Sequence, residues 1–478
     1  MTAFKPRVGL EVHVRLATQS KLFCSCPNVA GGTPNAATCP VCAGLPGAMP
    51  TLNRRAVELA LRAALILNCD VAPQFAFDRK HYAYPDLPKG YQTTQSRQPL
   101  ATGGSLTLTN GRSIALTQLH IEDDAGRSRH DARSTHVDLS RAGAPLAEIV
   151  TEPVLTTPEE VRDFLLRLRE ELRFGGVSDC DMEKGSLRFD VNVSLAAPGA
   201  PGFARVELKN LNSIRAAGEA VASEFARQAK LIGQGPGPTN ETRGWHATSR
   251  SSFPMRAKEH ATDYRFLPEP DLPAVRLTAA DIEAVRADLP EGPRALRTRY
   301  KSAFALTEAE AQGITKTPAR AAYFEAVVAA GAPSSSAAKW VLNALGAAAR
   351  ERASRDLKSV LPATQLAELL VLRASGALSR AGAETVFESL IKSPHGKRAQ
   401  VLAEELGLRL DPAKDATEVD NLDSTVQAAL AAHADAVRDF AAGKHKALDA
   451  LVGAVMREAK GQLDGGRVRA AILDALAR

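Results

Sequence analysis

The chain has 478 residues, 45% hydrophobic and 24% charged, proportions of a globular protein long enough for about three self-cored domains and unlike those of a disordered one. Its net charge of +6 and pI near 9.0 tilt it toward polyanionic partners such as RNA or nucleotide phosphates. No apolar run approaches a membrane span, since even Ala56 to Leu67 carries Glu58 and Arg62, and Met1 to Arg7 holds no apolar signal core. The expectation is therefore a cytoplasmic protein with no membrane association.

Val8 to Leu16 opens the chain as a strand. Val8, Leu10, Val12, Val14 and Leu16 fall on one face, and Glu11, His13 and Arg15 on the other. A carboxylate, an imidazole and a guanidinium in a row suit chemistry, and equally suit an ordinary solvated face.

Four of the six cysteines follow at once. Cys24 and Cys26, then Cys39 and Cys42, lie across a loop of twelve residues. In a reducing compartment this clustering points to a metal, and four thiolates match tetrahedral zinc, with free thiols as the other reading. Such a zinc has no open position, so it would staple a loop and perform no catalysis. Cys69 and Cys180 stand alone and read as small core residues.

Asn53 caps a helix expected to run to about Leu67. The segment Phe77 to Gln92 then gathers three tyrosines with Arg79, Lys80 and Lys89 between prolines, which suits stacking of an exposed base beside a phosphate, or simple packing of a loop. Ser105 to Ile121 alternates as a hairpin turned at Asn110-Gly111. It leads to His120-Ile121-Glu122-Asp123-Asp124, either a solvated acidic turn or, with Glu148 in the next apolar segment, oxygen ligands for a hard cation such as magnesium.

Thr157-Pro158-Glu159-Glu160 is a capping box, with proline at the first helical position, that starts a scaffold helix with Val161, Phe164, Leu165, Leu168 and Leu172 on its stripe, stopped by Gly175-Gly176. Leu187 to Leu195 alternates strictly and lines up Arg188, Asp190, Asn192 and Ser194. The following strand does the same with Arg205, Glu207 and Lys209 before Asn210. A face on which each position can hydrogen-bond suits a substrate-binding sheet. A helix follows from about Ile214 to Ile232, then Asp263-Tyr264-Arg265-Phe266 between loops. Beyond Leu289-Pro290-Glu291-Gly292-Pro293 the composition turns alanine-rich and helical, with a second break at Leu410-Asp411-Pro412 and basic turns at Gly443-Lys444-His445-Lys446 and Lys460-Gly461. No Walker loop, zinc-protease helix or serine-hydrolase elbow is present, so ATP chemistry would need another kind of site and amide hydrolysis lacks a nucleophile.

Gly9-Leu10-Glu11-Val12-His13-Val14, the four-cysteine loop, Asp78-Arg79-Lys80-His81-Tyr82, His120 to Gly126, Glu207 to Ser213, Asp263 to Phe266 and Gly443 to Leu448 together resemble the B subunit of the tRNA-dependent amidotransferases that convert glutamyl-tRNA(Gln) to glutaminyl-tRNA(Gln) and aspartyl-tRNA(Asn) to asparaginyl-tRNA(Asn). The resemblance implies an α+β fold: a cradle-shaped catalytic domain on a largely antiparallel sheet (1–292), a helical domain (293–410) and a tRNA-binding tail (411–478). It implies a heterotrimer in which this chain activates the side-chain carboxylate of the misacylated tRNA with ATP. Ammonia then arrives through a tunnel from an amidase-type glutaminase partner, the A subunit, strapped on by a small C subunit. The catalytic residues carried over are Glu11, His13, Asp123 and Glu148, with magnesium on His13, Asp123 and Glu148. Substrate and ATP candidates are Lys80, Tyr82, Arg188, Asp190, Asn192, Lys209 and Asn210, and zinc is assigned to the four cysteines. Asp123 stands where the family often has glutamate. Strand phase would instead put Glu122 beside His120, and the assignment to Asp123 expects the strand to have given way to a loop there. A zinc-stapled tRNA-binding subunit without chemistry of its own is the competing class; a zinc hydrolase needs the open coordination site that four thiolates remove.

Overall fold

The computed structural model describes residues 4–29, 31–197, 199, 204–235, 237–257, 264–354, 356–394, 396–410, 419–442, 444–458 and 465–477. It divides into two units, Met1–Pro293 and Arg294–Arg478.

The first unit is built on a ten-stranded sheet among the described residues. Its centre is the opening strand, Lys5–Arg15, paired antiparallel with Leu187–Ala196 on one side and Pro145–Thr151 on the other. Beyond Pro145–Thr151 lies Ser113–Asp123; beyond Leu187–Ala196 come Val206–Lys209, Glu241–His246 and Ser251–Ala257. Among these strands only the pairing of Val206–Lys209 with Glu241–His246 is parallel.

The alternation read from the sequence explains the layering. Val8, Leu10, Val12, Val14 and Leu16 are fully buried, as are Val191 and Val193, and they share one core with Val161, Phe164, Leu165, Leu168 and Leu172 of the Pro158–Phe174 helix. The Arg54–Ile66 helix adds Ala56, Leu59, Ala60 and Ala63 to that core. Asn53 caps this helix by accepting the Arg55 N–H, while Thr157 caps the other by accepting from the Glu160 N–H. The expected reciprocal bond of Glu160 is diverted, since its carboxylate accepts from the N–H and hydroxyl of Thr156. Helices thus cover one face of the sheet, and the polar residues of the central strands are left on the other. Cys69 and Cys180 are core residues, as expected.

The hairpin at Asn110-Gly111 forms, with Ser105–Thr107 against Ser113–Asp123; only Gly111 takes a left-handed φ, at 87°. The second strand of that hairpin is where the structure departs from the expectation. It stays in register to Asp123, which pairs with Pro145, so alternation persists through the acidic run.

The second unit is helical among the described residues, from Pro293–Phe304 to Gly465–Ala477. Its last helices hold a core of their own, with Val426, Leu451, Val455, Val468 and Ile472. The break expected at Leu410-Asp411-Pro412 falls partly outside the described residues, as do Asp263, Gly443 and Lys460-Gly461.

Candidate active site

Sheet register alone assembles the centre of the site. Arg188 pairs with His13, His13 with Glu148, and Glu148 with His120, so four side chains from four adjacent strands emerge side by side on the uncovered face. Glu122, two positions past His120, points the same way. His13 Nε2 lies 3.3 Å from both Glu122 Oε1 and Glu148 Oε2, and His120 Nε2 lies 3.3 Å from Glu148 Oε2 and 3.7 Å from Glu122 Oε2.

Electrostatics ties these four groups together. Burial disfavours charge on His13 and His120, yet Glu148 and Glu122 outweigh it, raising His120 to about 9 and His13 well above its ordinary value. Burial likewise opposes ionisation of both glutamates, and the imidazoles overcome it: Glu122 falls to about 2 and Glu148 well below the usual range. Without a metal the cluster is thus two imidazoliums against two carboxylates. A cation bound by His13, Glu122 and Glu148, whose donor atoms lie within 4.8 Å of one another, would have to displace a proton from His13. The donor set fits one. Glu122 Oε1 is buried and accepts no well-aligned hydrogen bond, despite the nearby His13 ring, which leaves a lone pair for a metal to satisfy.

Asp123 does not belong to this cluster. Its carboxylate turns to the other side, where it pairs with Lys89 and accepts the Thr93 N–H at 2.7 Å, and burial raises its pKa. Of the three residues expected to hold magnesium, His13 and Glu148 lie in the cluster and Asp123 does not; Glu122 stands beside them instead, because the strand keeps its phase to the last residue. His120 and Glu122 were both legible through that parity. Lys89, by contrast, gave no periodic signal in its proline-rich loop.

Of the remaining candidates, Glu11 sits on the same face and accepts from Asn192 Nδ2 at 2.9 Å. Arg188 is engaged by Asp124 at 2.7 Å, and Lys209 by Asp190 and by Glu207 at 3.2 Å. Asn210 is exposed with a left-handed φ of 63°, a conformation asparagine tolerates. Tyr82 packs edge-on between Tyr84 and Tyr264, with Phe266 next in the ladder. Lys80 lies over the Tyr264 ring at 4.7 Å and makes no ion pair among the described residues. It is the cation with least to give up on meeting a phosphate.

The four-cysteine loop also closes as the spacing implied. All four Sγ atoms lie within 4.8 Å of one another, and Cys42 Sγ is 4.0 Å from Cys26 Sγ and 3.9 Å from Cys39 Sγ. A tetrahedral site with Zn–S bonds of about 2.3 Å needs sulfurs about 3.8 Å apart, so the residues fit zinc. The Cys24 hydrogen bond is the chief cause that lowers Cys42 to about 4, with the Cys39 N–H and the Lys21 ammonium helping. Lys21 is fully buried, donates to the Ala37 carbonyl at 2.6 Å and approaches Cys42 Sγ at 3.4 Å. The loop is pressed onto the site's edge at Gly44, where a Cβ would meet the Lys89 backbone N at 2.9 Å and φ is +67°.

Comparison with known proteins identifies the family. Residues 6–283 match the GatB/GatE catalytic domain family, and residues 322–476 match the GatB domain family. The chain is 40% identical to the B subunit of the aspartyl/glutamyl-tRNA(Asn/Gln) amidotransferase of Carboxydothermus hydrogenoformans over the whole of both chains. It is 41% identical to the corresponding protein of Thermus thermophilus and 40% to that of Elusimicrobium minutum, each over 98% of both chains. With both domain models in chain order and relatives matched end to end, the chain belongs to the family of tRNA-dependent amidotransferase B subunits.

Proposed function

We propose that this chain is the ATP-using half of a glutamine-dependent amidotransferase acting on Glu-tRNA(Gln), Asp-tRNA(Asn) or both. The observation that carries the reading is the row of Arg188, His13, Glu148 and His120, completed by Glu122, on a sheet face left uncovered by helices within the first unit. A carboxylate is a poor electrophile at neutral pH. In the proposed reaction its oxygen attacks the terminal phosphorus of ATP, ADP leaves, and an acyl phosphate results; ammonia then adds to the acyl carbon and phosphate departs. The sequence carries no serine-hydrolase elbow, which fits ammonia arriving from an amidase-type glutaminase partner, with a small third subunit completing a heterotrimer.

His13, Glu122 and Glu148 are the residues proposed to hold magnesium, with Glu11 beside them. When bound there, the ion would neutralise charge on the transferring phosphoryl group. Lys80, free of acidic partners among the described residues, is the favoured phosphate ligand; Arg188 and Lys209 would first have to exchange Asp124, Asp190 and Glu207 for phosphate oxygens. Tyr82 in its aromatic ladder offers a stacking surface for a base. Asp190, Asn192 and Asn210 extend the hydrogen-bonding face. The four cysteines hold a structural zinc, and in the three-part organisation 411–478 serves as the tRNA-binding tail.

The test is direct. The assembled complex, given misacylated tRNA, ATP and glutamine, should transfer the terminal phosphate only when the tRNA is present, and Glu148→Gln should abolish that transfer. Undiminished amidation by Glu148→Gln would make this chain a tRNA-binding subunit without chemistry.

A further inference from the structure

Just beyond Asp123 the chain leaves the sheet as a two-stranded hairpin, Arg127–His130 against Thr135–Asp138. It is exposed over most of its length, and Arg127, Arg129 and Arg133 form no ion pair or side-chain hydrogen bond among the described residues. Its two acids are engaged in local hydrogen bonds, Asp131 while still exposed. Asp131 accepts the N–H groups of Arg133 and Ser134 and the Ser134 hydroxyl, and lies 3.0 Å from His136 Nε2. Asp138 accepts the N–H groups of Asn35 and Ser140. What remains without an ion pair is a set of guanidinium groups flanked by His130 and His136, with Arg127 directly across from Asp138 in the strand pairing.

This cationic hairpin is held at its base. Gly126 donates to the Asp86 carbonyl at 2.8 Å, and a Cβ there would lie 2.7 Å from the Asp138 carbonyl oxygen, so no larger residue fits unshifted. Asn35, from the loop between the two cysteine pairs, has a left-handed φ of 61° and clamps the second strand. Its Nδ2 donates to Val137 O at 3.0 Å, its Oδ1 accepts the Leu139 N–H at 2.7 Å, and its own N–H reaches Asp138. Lys21 bridges the same cysteine loop to the Leu139 carbonyl. At the other end, the hairpin's root is fastened to the catalytic face by Arg188 on Asp124. Arg141 fastens the start of the hairpin as well, donating to the Ala125 carbonyl at 2.9 Å and to the Gly126 carbonyl.

We propose that the Arg127–Asp138 hairpin is an RNA-backbone arm that grips phosphates of the tRNA beside the catalytic cluster, and that the four-cysteine loop sets its position through Asn35. This rests on the tRNA reading above and names the residues and the local scaffold that would serve it. Arginines without ion pairs on an exposed hairpin, two on its first strand and one in its turn, are suited to phosphate, which they meet without first breaking an ion pair.

The test measures binding of an unacylated tRNA transcript to the full-length chain across a salt series. Replacing Arg127, Arg129 and Arg133 by alanine should weaken binding about tenfold or more at physiological salt and flatten the log–log salt slope by about two to three. The triple lysine variant should keep the slope, because charge is retained. Asn35→Ala should weaken binding severalfold with zinc content unchanged. An unaltered salt slope in the triple alanine variant, with melting as in the parent chain, would overturn the arm. So would loss of a partner protein with tRNA affinity intact, since the hairpin would then be a protein-docking element. A parent chain that binds no tRNA would sink the functional reading itself, an outcome distinguishable from failure of the arm alone.

Discussion

Replacing Glu122 by glutamine separates the cluster seen in the structure from the one that includes Asp123. His120 has a pKa of about 9. Against about 6.5 in an unfolded chain, that shift corresponds to roughly 2–3 kcal/mol of stability at pH 7. Glu122→Gln leaves Glu148 as the one carboxylate facing both imidazoles, so roughly half of that contribution or more should vanish in metal-free protein. For a unit of this size the melting temperature should fall by roughly 2–5 °C. Metal affinity is the sharper readout. Even outer-shell partners of metal ligands cost about 10–100-fold when removed, so Glu122→Gln should weaken manganese binding, used as the calorimetric probe for magnesium, by more than about 100-fold. Asp123→Asn should change it far less, because that carboxylate serves Lys89 and Thr93. Comparable losses in the two variants, or a larger loss in Asp123→Asn, would show that strand parity does not decide the ligand set.

The pH dependence of metal-free stability should carry the cluster's signature. His120 has a raised pKa, so its contribution is complete below about pH 6.5 and is lost as pH rises through about 9, and His13, also raised, acts in the same direction; Glu122, lowered to about 2, contributes fully above about pH 4.5 and loses its share as pH falls through about 2. Denaturant titrations of the parent minus the Glu122→Gln variant should therefore be largest between about pH 4.5 and 6.5, and a difference that does not vary with pH would contradict the pairing. Lys21→Met should weaken zinc binding about tenfold in a competition titration with a chromogenic chelator, since it strips the cation beside Cys42 and leaves the Ala37 carbonyl without its donor; affinity within twofold of the parent would show the ammonium to be incidental. Arg188→Ala should leave Asp124 with Arg141 as its guanidinium partner and slow tRNA-dependent phosphate transfer in the assembled complex by at least tenfold, whereas an unchanged rate would confine Arg188 to holding Asp124 in place.

Much of the first unit was legible because period-two patterning is a direct consequence of burial on one side of a sheet. Val8 to Leu16 and Leu187 to Leu195 could hardly be read otherwise, and the caps at Asn53 and Thr157 marked helix starts to the residue. What no local pattern could supply was the partner of each strand. Nothing in the alternation of 187–195 says that it lies beside residues 5–15, more than 170 positions earlier, in a register that sets Arg188 against His13. The diversion of Glu160 to Thr156 was hidden for a similar reason: the capping pattern fits, but a neighbouring donor one residue outside the helix competes for the same oxygen.

The acidic run shows what decides between two adjacent carboxylates. A loop ending before residue 122 would let either side chain swing toward the metal position, and the choice would be left to resemblance. A strand in register through Asp123 removes that freedom, because a shift of one residue carries a side chain to the opposite face. Family relationship identifies the segment, whereas backbone phase identifies the atom. His120 fixes that phase within the segment itself: once it faces Glu148, only Glu122 can share its side. The acid that follows is then available for a separate task, pairing with Lys89 where the cysteine loop meets the edge of the site at Gly44.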